Sequence, residues 1–329
     1  MHDLSCVVHL HSLYSDGTGT VEEIARAGAR AGVDVVLLTD HDTMAARSGW
    51  YGDVLVLVGV EVSPAGRDHY LAFGLGEPID HTGMDGAAIA RAVREAGGFG
   101  FAAHPFSRGS ERFRQKPMRY EDLSEVDGIE VWSFVSDLVE SVDSVPAALR
   151  FLLAPERAVS GPPEESLRRW DELNRERHVL GIGGIDAHQF GKRLPGGLVL
   201  RLMGYARSFR QLRTHVWVDE LPSGELEHDR ALVFDALREG RSYIAVDHLA
   251  PPAGFRWWAD SGGLHARLPR PASLRLVRDG EEVARSDSAA SRLPSAAELD
   301  RPVDEPGSYR LEARLNGRVW ILSNPLRVA

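Results

Sequence analysis

The 329-residue sequence predicts an α/β barrel followed by a small antiparallel β-sandwich. Three observations lead there. Short continuous apolar runs alternate with helical patterns up to about residue 250, as parallel strands covered by helices require. Metal-ligating side chain types fall at the ends of those runs, and in barrels the carboxyl ends of the strands gather functional groups. Beyond Pro251-Pro252 the texture changes to short alternating segments separated by Asp279-Gly280 and Asn316-Gly317, dipeptides that favour hairpin turns.

The first apolar run covers residues 6–10 and is followed by a helical pattern at 21–31. Runs at 33–38 and 54–60 come next, then a helix at 87–96 and a run at 99–103. The runs at 126–131 and 180–185 continue the series, with a charged surface helix at 164–177 between them. A further helix at 229–239 is stopped by Gly240, in the position past a helix end that favours a left-handed residue. In the tail, 255–259, 274–277 and 309–315 alternate like strands. The expected division is a barrel over residues 1–250 and a sandwich over residues 251–329. The polar, basic segment 108–120 and the proline-bearing segment 141–163 read as insertions suited to lids or substrate walls.

A hydrophobic share of 43% with 26% charged residues describes an ordinary globular protein. The formal net charge of −10 argues against an extended nucleic acid as partner, because phosphate backbones are gripped by clustered Lys and Arg. The opening Met1 to Ser5 has neither a basic region nor an apolar stretch of signal-peptide length, and no run approaches a membrane span, so a cytoplasmic location away from membranes is expected. The single cysteine, Cys6, reads as a small buried filler.

His9 and His11 are one residue apart, so on a strand both imidazoles point to the same face. Asp16 lies on the loop that follows. The next runs end in Thr39-Asp40-His41-Asp42-Thr43 and Gly59-Val60-Glu61. His69 falls within an apolar segment, His104-Pro105 closes the run at 99–103, and Asp186-Ala187-His188 repeats the alternate spacing. An isolated H-x-H is weak evidence; nine such groups at run ends point to a multinuclear metal site. Mixed imidazole and carboxylate donors suit Zn, Mn or Fe, and the absence of thiolate favours an open catalytic site over a closed structural one.

These residues resemble the polymerase and histidinol phosphatase family, usually called PHP. The motifs are His-Leu-His-Ser-Leu-Tyr-Ser-Asp-Gly at 9–17, Thr-Asp-His-Asp-Thr at 39–43, Gly-Val-Glu at 59–61, His-Pro at 104–105 and Asp-Ala-His at 186–188, within a match over roughly residues 5–250. The resemblance implies a distorted, seven-stranded, TIM-like (β/α)7 barrel and two or three divalent metal ions. It assigns one ion to His9, His11, Glu61 and Asp186, with Glu61 bridging to a second ion completed by His69 and His104. A third would sit between Asp16, His41 and His188; in many trinuclear relatives a histidine stands where this chain has Asp16. The tail, including Trp320-Ile321-Leu322-Ser323-Asn324-Pro325, is similar to the β-sandwich of a subgroup with carbamate-hydrolysing members.

A water ionised between two cations about 3.5 to 4 Å apart would be the nucleophile. No G-x-S-x-G or P-loop pattern supports serine or nucleotide-motor chemistry, and Ser12 has no separate base. The favoured reaction is hydrolysis of a small phosphomonoester, a nucleotide or a phosphorylated metabolite. Carbamate, ester or amide hydrolysis at the same centre is the alternative, and a noncatalytic metal- or ligand-binding module is the second. Asp40 and Asp42 flank His41 as groups that orient imidazoles or act as a general acid. Within the cluster of Arg108, Arg112, Arg114, Lys116 and Arg119, one cation could bind phosphate. Glu130 reads as pocket wall or as support for a ligand, and Trp132 as a base-stacking or rim aromatic. The sequence leaves the oligomeric state open.

Overall fold

A computed structural model of the chain describes residues 1–111, 115–118, 120–142, 144, 146–147, 149, 154, 160–189, 191–193, 199–201, 203–287, 298–303 and 305–329. The fold is mixed α/β. Its first part runs β1 (His2–Val8), α1 (Val21–Ala31), β2 (Val35–Leu38), β3 (Gly49–Tyr51), β4 (Val54–Val58), β5 (Val60–Val62), β6 (Tyr70–Phe73), α2 (Gly86–Glu95), β7 (Phe99–Ala102), β8 (Gly128–Ser133), α3 (Phe134–Glu140), α4 (Glu164–Glu176) and β9 (Leu180–Gly184). Helix α1 shows why these elements form. Thr20 and Glu23 make a reciprocal capping box, Val21, Ile24 and Ala25 turn inward on one face, and Gly32 ends the helix in the left-handed conformation.

The chain continues through β10 (Gly191–Arg193), β11 (Val199–Arg201), α5 (Tyr205–Ser208), β12 (Arg213–Val218), α6 (Leu226–Arg238) and β13 (Ser242–Ala245). The tail holds β14 (Arg256–Asp260), β15 (Gly263–Arg267), β16 (Ser273–Arg278), β17 (Glu281–Asp287), β18 (Glu298–Arg301), β19 (Gly307–Leu315), β20 (Arg318–Ser323) and β21 (Leu326–Val328). Both expected hairpin turns are present: Asp279 and Gly280, and Asn316 and Gly317, all have positive φ, as a type I′ turn demands.

Two sheets carry the candidate site. The larger runs β17-β16-β19-β20-β13-β12-β1-β2-β4-β3, with β21 beside β19; the smaller runs β5-β6-β7-β8-β9. Their regular pairing does not close into one cylinder. Along one seam Gly59 N donates to Leu38 O (2.8 Å) and Glu61 N to Asp40 O (3.1 Å); along the other Ile185 N donates to Val8 O (2.9 Å) and His11 N to Ala187 O (3.0 Å). The run expected over 54–60 is broken at Gly59, where the chain passes from β4 in one sheet to β5 in the other. A Cβ at Gly59 would lie 2.5 Å from Ala72 O and from the Phe73 ring, so only glycine fits the crossing.

The tail extends the same sheet. β13 pairs with β20 through Tyr243–Ser323, Ile244–Leu322 and Ala245–Ile321, so the large sheet runs on past residue 250. A separate three-stranded sheet, β14-β15-β18, packs Phe255, Trp257 and Leu264 against Leu276, Leu311 and Trp320. Asn324 fastens the tail to the smaller sheet: its Oδ1 accepts from Gly181 N (2.7 Å), and its Nδ2 donates to Gly181 O (3.1 Å) and Ser242 O (3.2 Å). No helix among the described residues is long and apolar enough to cross a membrane.

Near the amino end of β1, His215 is buried between two carboxylates, Asp3 (2.8 Å) and Asp247 (3.0 Å), and Arg213 pairs with Asp247 (2.9 Å). Burial opposes protonation of His215, but Asp247 and Asp3 outweigh it and hold the imidazole at about 9. Asp247 is half-buried, which favours its neutral form, yet His215 and Arg213 keep its pKa below the usual 3.8. The His215 contribution to stability is therefore complete below its ordinary value of 6.5 and disappears as pH rises through about 9, whereas that of Asp247 fades in acid. Urea unfolding of the wild type should show stability declining between pH 6.5 and 9.5, with a shallower decline in His215→Gln. Parallel profiles for the two proteins would contradict this assignment.

Candidate metal centre

All nine side chains expected as ligands fall into four overlapping groups, within each of which the ligand atoms lie within 4.8 Å of one another. His9 Nε2 and His11 Nε2 each lie 3.3 Å from Glu61 Oε2 and 3.4 Å from Asp186 Oδ1. The other Glu61 oxygen faces His69 Nδ1 at 2.8 Å and His104 Nε2 at 3.5 Å. Asp16 spreads its two oxygens toward His188 Nε2 (3.3 Å), His11 Nδ1 (3.6 Å) and His41 Nε2 (3.6 Å). His41 Nδ1 turns to Ser63 Oγ (2.7 Å) and Glu61 Oε2 (3.1 Å). Adjacent ligands of an ion bound at 2.0–2.2 Å stand about 3 to 3.5 Å apart, so these donors have the spacing of a coordination shell.

His9 Nε2, both ring nitrogens of His11, Glu61 Oε2 and His104 Nδ1 are buried and have no hydrogen-bond partner among the described residues. Orphaned buried polar atoms cost free energy unless something satisfies them. His9 Nε2, His11 Nε2 and Glu61 Oε2 converge on one space, and His11 Nδ1 faces Asp16. The donor set therefore fits divalent cations, and the groups able to hold one are His9, His11 and Glu61; His9, His104 and Asp186; His41, Glu61 and His69; and His11, Asp16, His41 and His188.

The pair His9 and His11 converges by a different route from the expected strand alternation. β1 stops at Val8, and His9 takes a left-handed conformation with φ 65°. His104 (φ 31°) and Asp186 (φ 54°) are also left-handed. Non-glycine residues held there are strained by about 1 to 3 kcal/mol each, a cost that clusters at functional sites. Packing enforces the geometry. A Cβ at Gly184 would sit 1.8 Å from Glu130 Oε1 and 3.1 Å from His9 Cβ, so glycine alone lets β9 approach. Glu130 then accepts from His9 Nδ1 (3.0 Å) and from His104 N (2.8 Å), fixing one ring and one backbone turn together. Ser136 Oγ donates to Asp186 Oδ2 (3.4 Å), and Tyr205 OH donates to His11 O (2.7 Å).

The charge balance follows from burial and neighbours. Burial opposes the charged form of His9, but Glu130, Glu61 and Asp186 raise its pKa well above the ordinary value. Burial opposes ionisation of Glu61 too, and His9 and His69 nonetheless hold it well below the usual carboxylate range; Asp186 behaves alike beside His9 and His188. His11 shifts the other way, because burial dominates. Protons on these rings stand where a cation would bind, so cation binding releases them and weakens in acid.

The remaining expected site residues lie elsewhere. Asp40 accepts from Ser12 N (2.7 Å), Ser12 Oγ (2.6 Å) and Ser15 Oγ (2.6 Å), so it organises the loop that carries Asp16 rather than joining the cluster. Asp42 accepts from Ser63 N (2.9 Å) and lies 3.0 Å from His81 Nε2. Trp132 is buried in the main hydrophobic core and does not line the cavity; the pairing of β8 shifts register between Glu130 and Trp132. Arg108 is spent on Glu140 (3.1 Å) and does not line the cavity. Arg112, Arg114 and Arg119 lie outside the described residues. Sequence reasoning missed Tyr205 and Ser136, whose roles depend on contacts far along the chain.

No family model matches the chain, and no curated protein matches it. Among solved structures it is similar to a two-domain protein containing a predicted PHP-like metal-dependent phosphoesterase from Bacteroides vulgatus, with 16% identity and a TM-score of 0.48, over 98% of this chain and 95% of that one. It is also similar to PsfC from Pseudomonas syringae, with 13% identity and a TM-score of 0.44 over 74% of this chain and 91% of that one. An amidohydrolase from Chromobacterium violaceum shares 17% identity, with a TM-score of 0.31 over 61% of this chain and 93% of that one.

Glu130→Gln keeps the volume of the side chain but removes the charge that steadies His9. It should weaken divalent-metal affinity by roughly 10- to 100-fold, read by competition with a chromophoric chelator, with an unchanged near-ultraviolet dichroism spectrum. Unaltered affinity would remove Glu130 from the account.

Proposed function

We propose that this chain is a metal-dependent hydrolase of phosphoesterase type that cleaves a small phosphomonoester, such as a nucleotide or phosphorylated metabolite. The observation that carries the reading is the set of buried, unpartnered donors on His9, His11 and Glu61 that share one space with Asp186. In this reading His9, His11, Glu61 and Asp186 would hold one cation, Glu61 with His69 and His104 a second, and Asp16, His41 and His188 a third. Zn, Mn or Fe fits this mixture of imidazole and carboxylate. Such ions, when bound, supply an ionised water and neutralise charge on the scissile group.

The chain's own residues set the geometry for that chemistry. Glu61 presents one oxygen to each of two histidine groups, which suits a bridging carboxylate. Glu130 and Ser136 hold His9 and Asp186 in place, and Asp40 ties down the loop leading to Asp16. The motifs at 9–17, 39–43, 59–61, 104–105 and 186–188 support membership of the PHP family, and the hydrogen bonds along both seams support reading the two sheets as its distorted seven-stranded barrel. A second reading, hydrolysis of a carbamate, ester or amide by the same centre, is favoured by the segment 320–325, whose Asn324 binds the tail to β9.

The test compares chelator-stripped protein with protein reloaded with Mn, Zn or Fe on panels of phosphomonoesters, carbamates and aryl esters. Metal-dependent release of inorganic phosphate is expected, reduced in Asp186→Asn by at least the roughly 10- to 100-fold lost with an outer partner of a ligand. Turnover of carbamates or esters alone would favour the second reading. A fully loaded protein inactive on every panel would overturn both and leave a noncatalytic binding module.

A further inference from the structure

The cavity over the cluster encloses about 310 Å³ and is walled on one side by His41, Glu61, His69, His104, Asp186 and His188. The facing wall is a strap of chain carrying Gln115, Lys116, Pro117 and Met118. Lys116 is the one Lys or Arg that lines the cavity among the described residues, and it has no ion pair or hydrogen bond among them. We propose that Lys116 is the specificity residue that selects an anionic substrate, a phosphomonoester over a neutral ester; this rests on the phosphoesterase reading of the site.

The strap is held in a defined position. Ser110 N donates to Gln115 O and Gln115 N to Ser110 O, both at 2.9 Å, while Met118 N donates to Ser107 O (2.8 Å). Its stem is gripped by Glu140, whose Oε1 accepts from Ser107 Oγ (2.6 Å), Arg108 N (2.7 Å) and Gly109 N (3.2 Å). Gln115 Nε2 donates to Ser136 Oγ (3.4 Å), which in turn donates to Asp186, so the strap is linked to the cluster wall beneath it. Glu140 also takes up the Arg108 side chain. That leaves the Lys116 ammonium as the described cation available to an anion in the cavity. A phosphomonoester brings negative oxygens that a strongly hydrated point charge on a flexible stem can follow, whereas a neutral ester or carbamate gains nothing from it. The cavity volume sits at the lower end of small-molecule sites, which suits a compact substrate.

The experiment titrates inorganic phosphate into metal-reloaded wild type, Lys116→Met and Lys116→Arg by calorimetry at low and high salt, with metal content measured in each. The same proteins are assayed on a phosphomonoester and a neutral aryl ester. In Lys116→Met, phosphate binding should weaken about 10- to 100-fold, with KM for the phosphomonoester rising, metal content and aryl-ester kinetics unchanged, and substantial recovery in Lys116→Arg. Phosphate affinity in Lys116→Met equal to wild type overturns the assignment while leaving the phosphoesterase reading intact. Wild type that binds phosphate through Lys116 but hydrolyses no phosphomonoester overturns the function and keeps the anion site. Wild type that neither binds phosphate nor hydrolyses a phosphomonoester overturns both.

Discussion

The site depends on one buried carboxylate. Glu61 is almost fully enclosed, yet each of its oxygens faces imidazole nitrogens, Oε2 those of His9, His11 and His41 and Oε1 those of His69 and His104. A lone ionised carboxylate in such a place would cost several kcal/mol. It persists because positive charge, whether protons on the rings or cations between them, surrounds it. Two sheets that meet only at seams bring this about: β5 enters at Gly59 with Glu61 next to Asp40, and β9 leaves beside β1 with Asp186 next to His9.

Strain and support are paired throughout. The left-handed turns at His9, His104 and Asp186 aim three donors inward, and each is secured by a bond from another element. Glu130 on β8 joins the His9 ring to the His104 backbone, and Ser136 on α3 reaches Asp186. The tail contributes stiffness from behind. Asn324 closes hydrogen bonds to β9 and to Ser242 on β13, and buried Arg310 on β19 forks onto Asp171 of α4 (2.6 and 2.8 Å) while pairing with Glu312 (2.6 Å). Buried ion pairs of this kind penalise the loss of either partner more than they add to net stability, which suits a role in fixing one arrangement.

Much of this was legible in the sequence where a local rule decided the outcome. The helical pattern at 21–31 marked α1, and Asp279-Gly280 and Asn316-Gly317 marked two hairpins, because periodicity and turn chemistry act over a few residues. Most of the expected ligands met because they lay at the ends of apolar runs, whereas Asp16 sits on a loop and His69 just ahead of β6. What escaped was set by distant partners. β12 does not read as a strand because it carries Arg213 and His215, made tolerable by Asp247 and Asp3 and by the carbonyls of Ala31, Gly32 and Phe209 that accept from Arg213. The run at 54–60 looked continuous because nothing local reveals that Gly59 crosses between sheets. Asp40 has the chemistry of a catalytic acid, but its oxygens are taken up by Ser12 and Ser15, and Trp132 looks like a rim aromatic yet packs into the core.

The most direct test is anomalous diffraction from crystals grown with Zn or Mn, collected above and below the metal edge. The account predicts a peak bounded by His9, His11, Glu61 and Asp186 and a second beyond the opposite oxygen of Glu61, toward His69 and His104. Crystals without anomalous density there, with His9 Nε2, His11 Nε2 and Glu61 Oε2 satisfied by water or by each other, would contradict it.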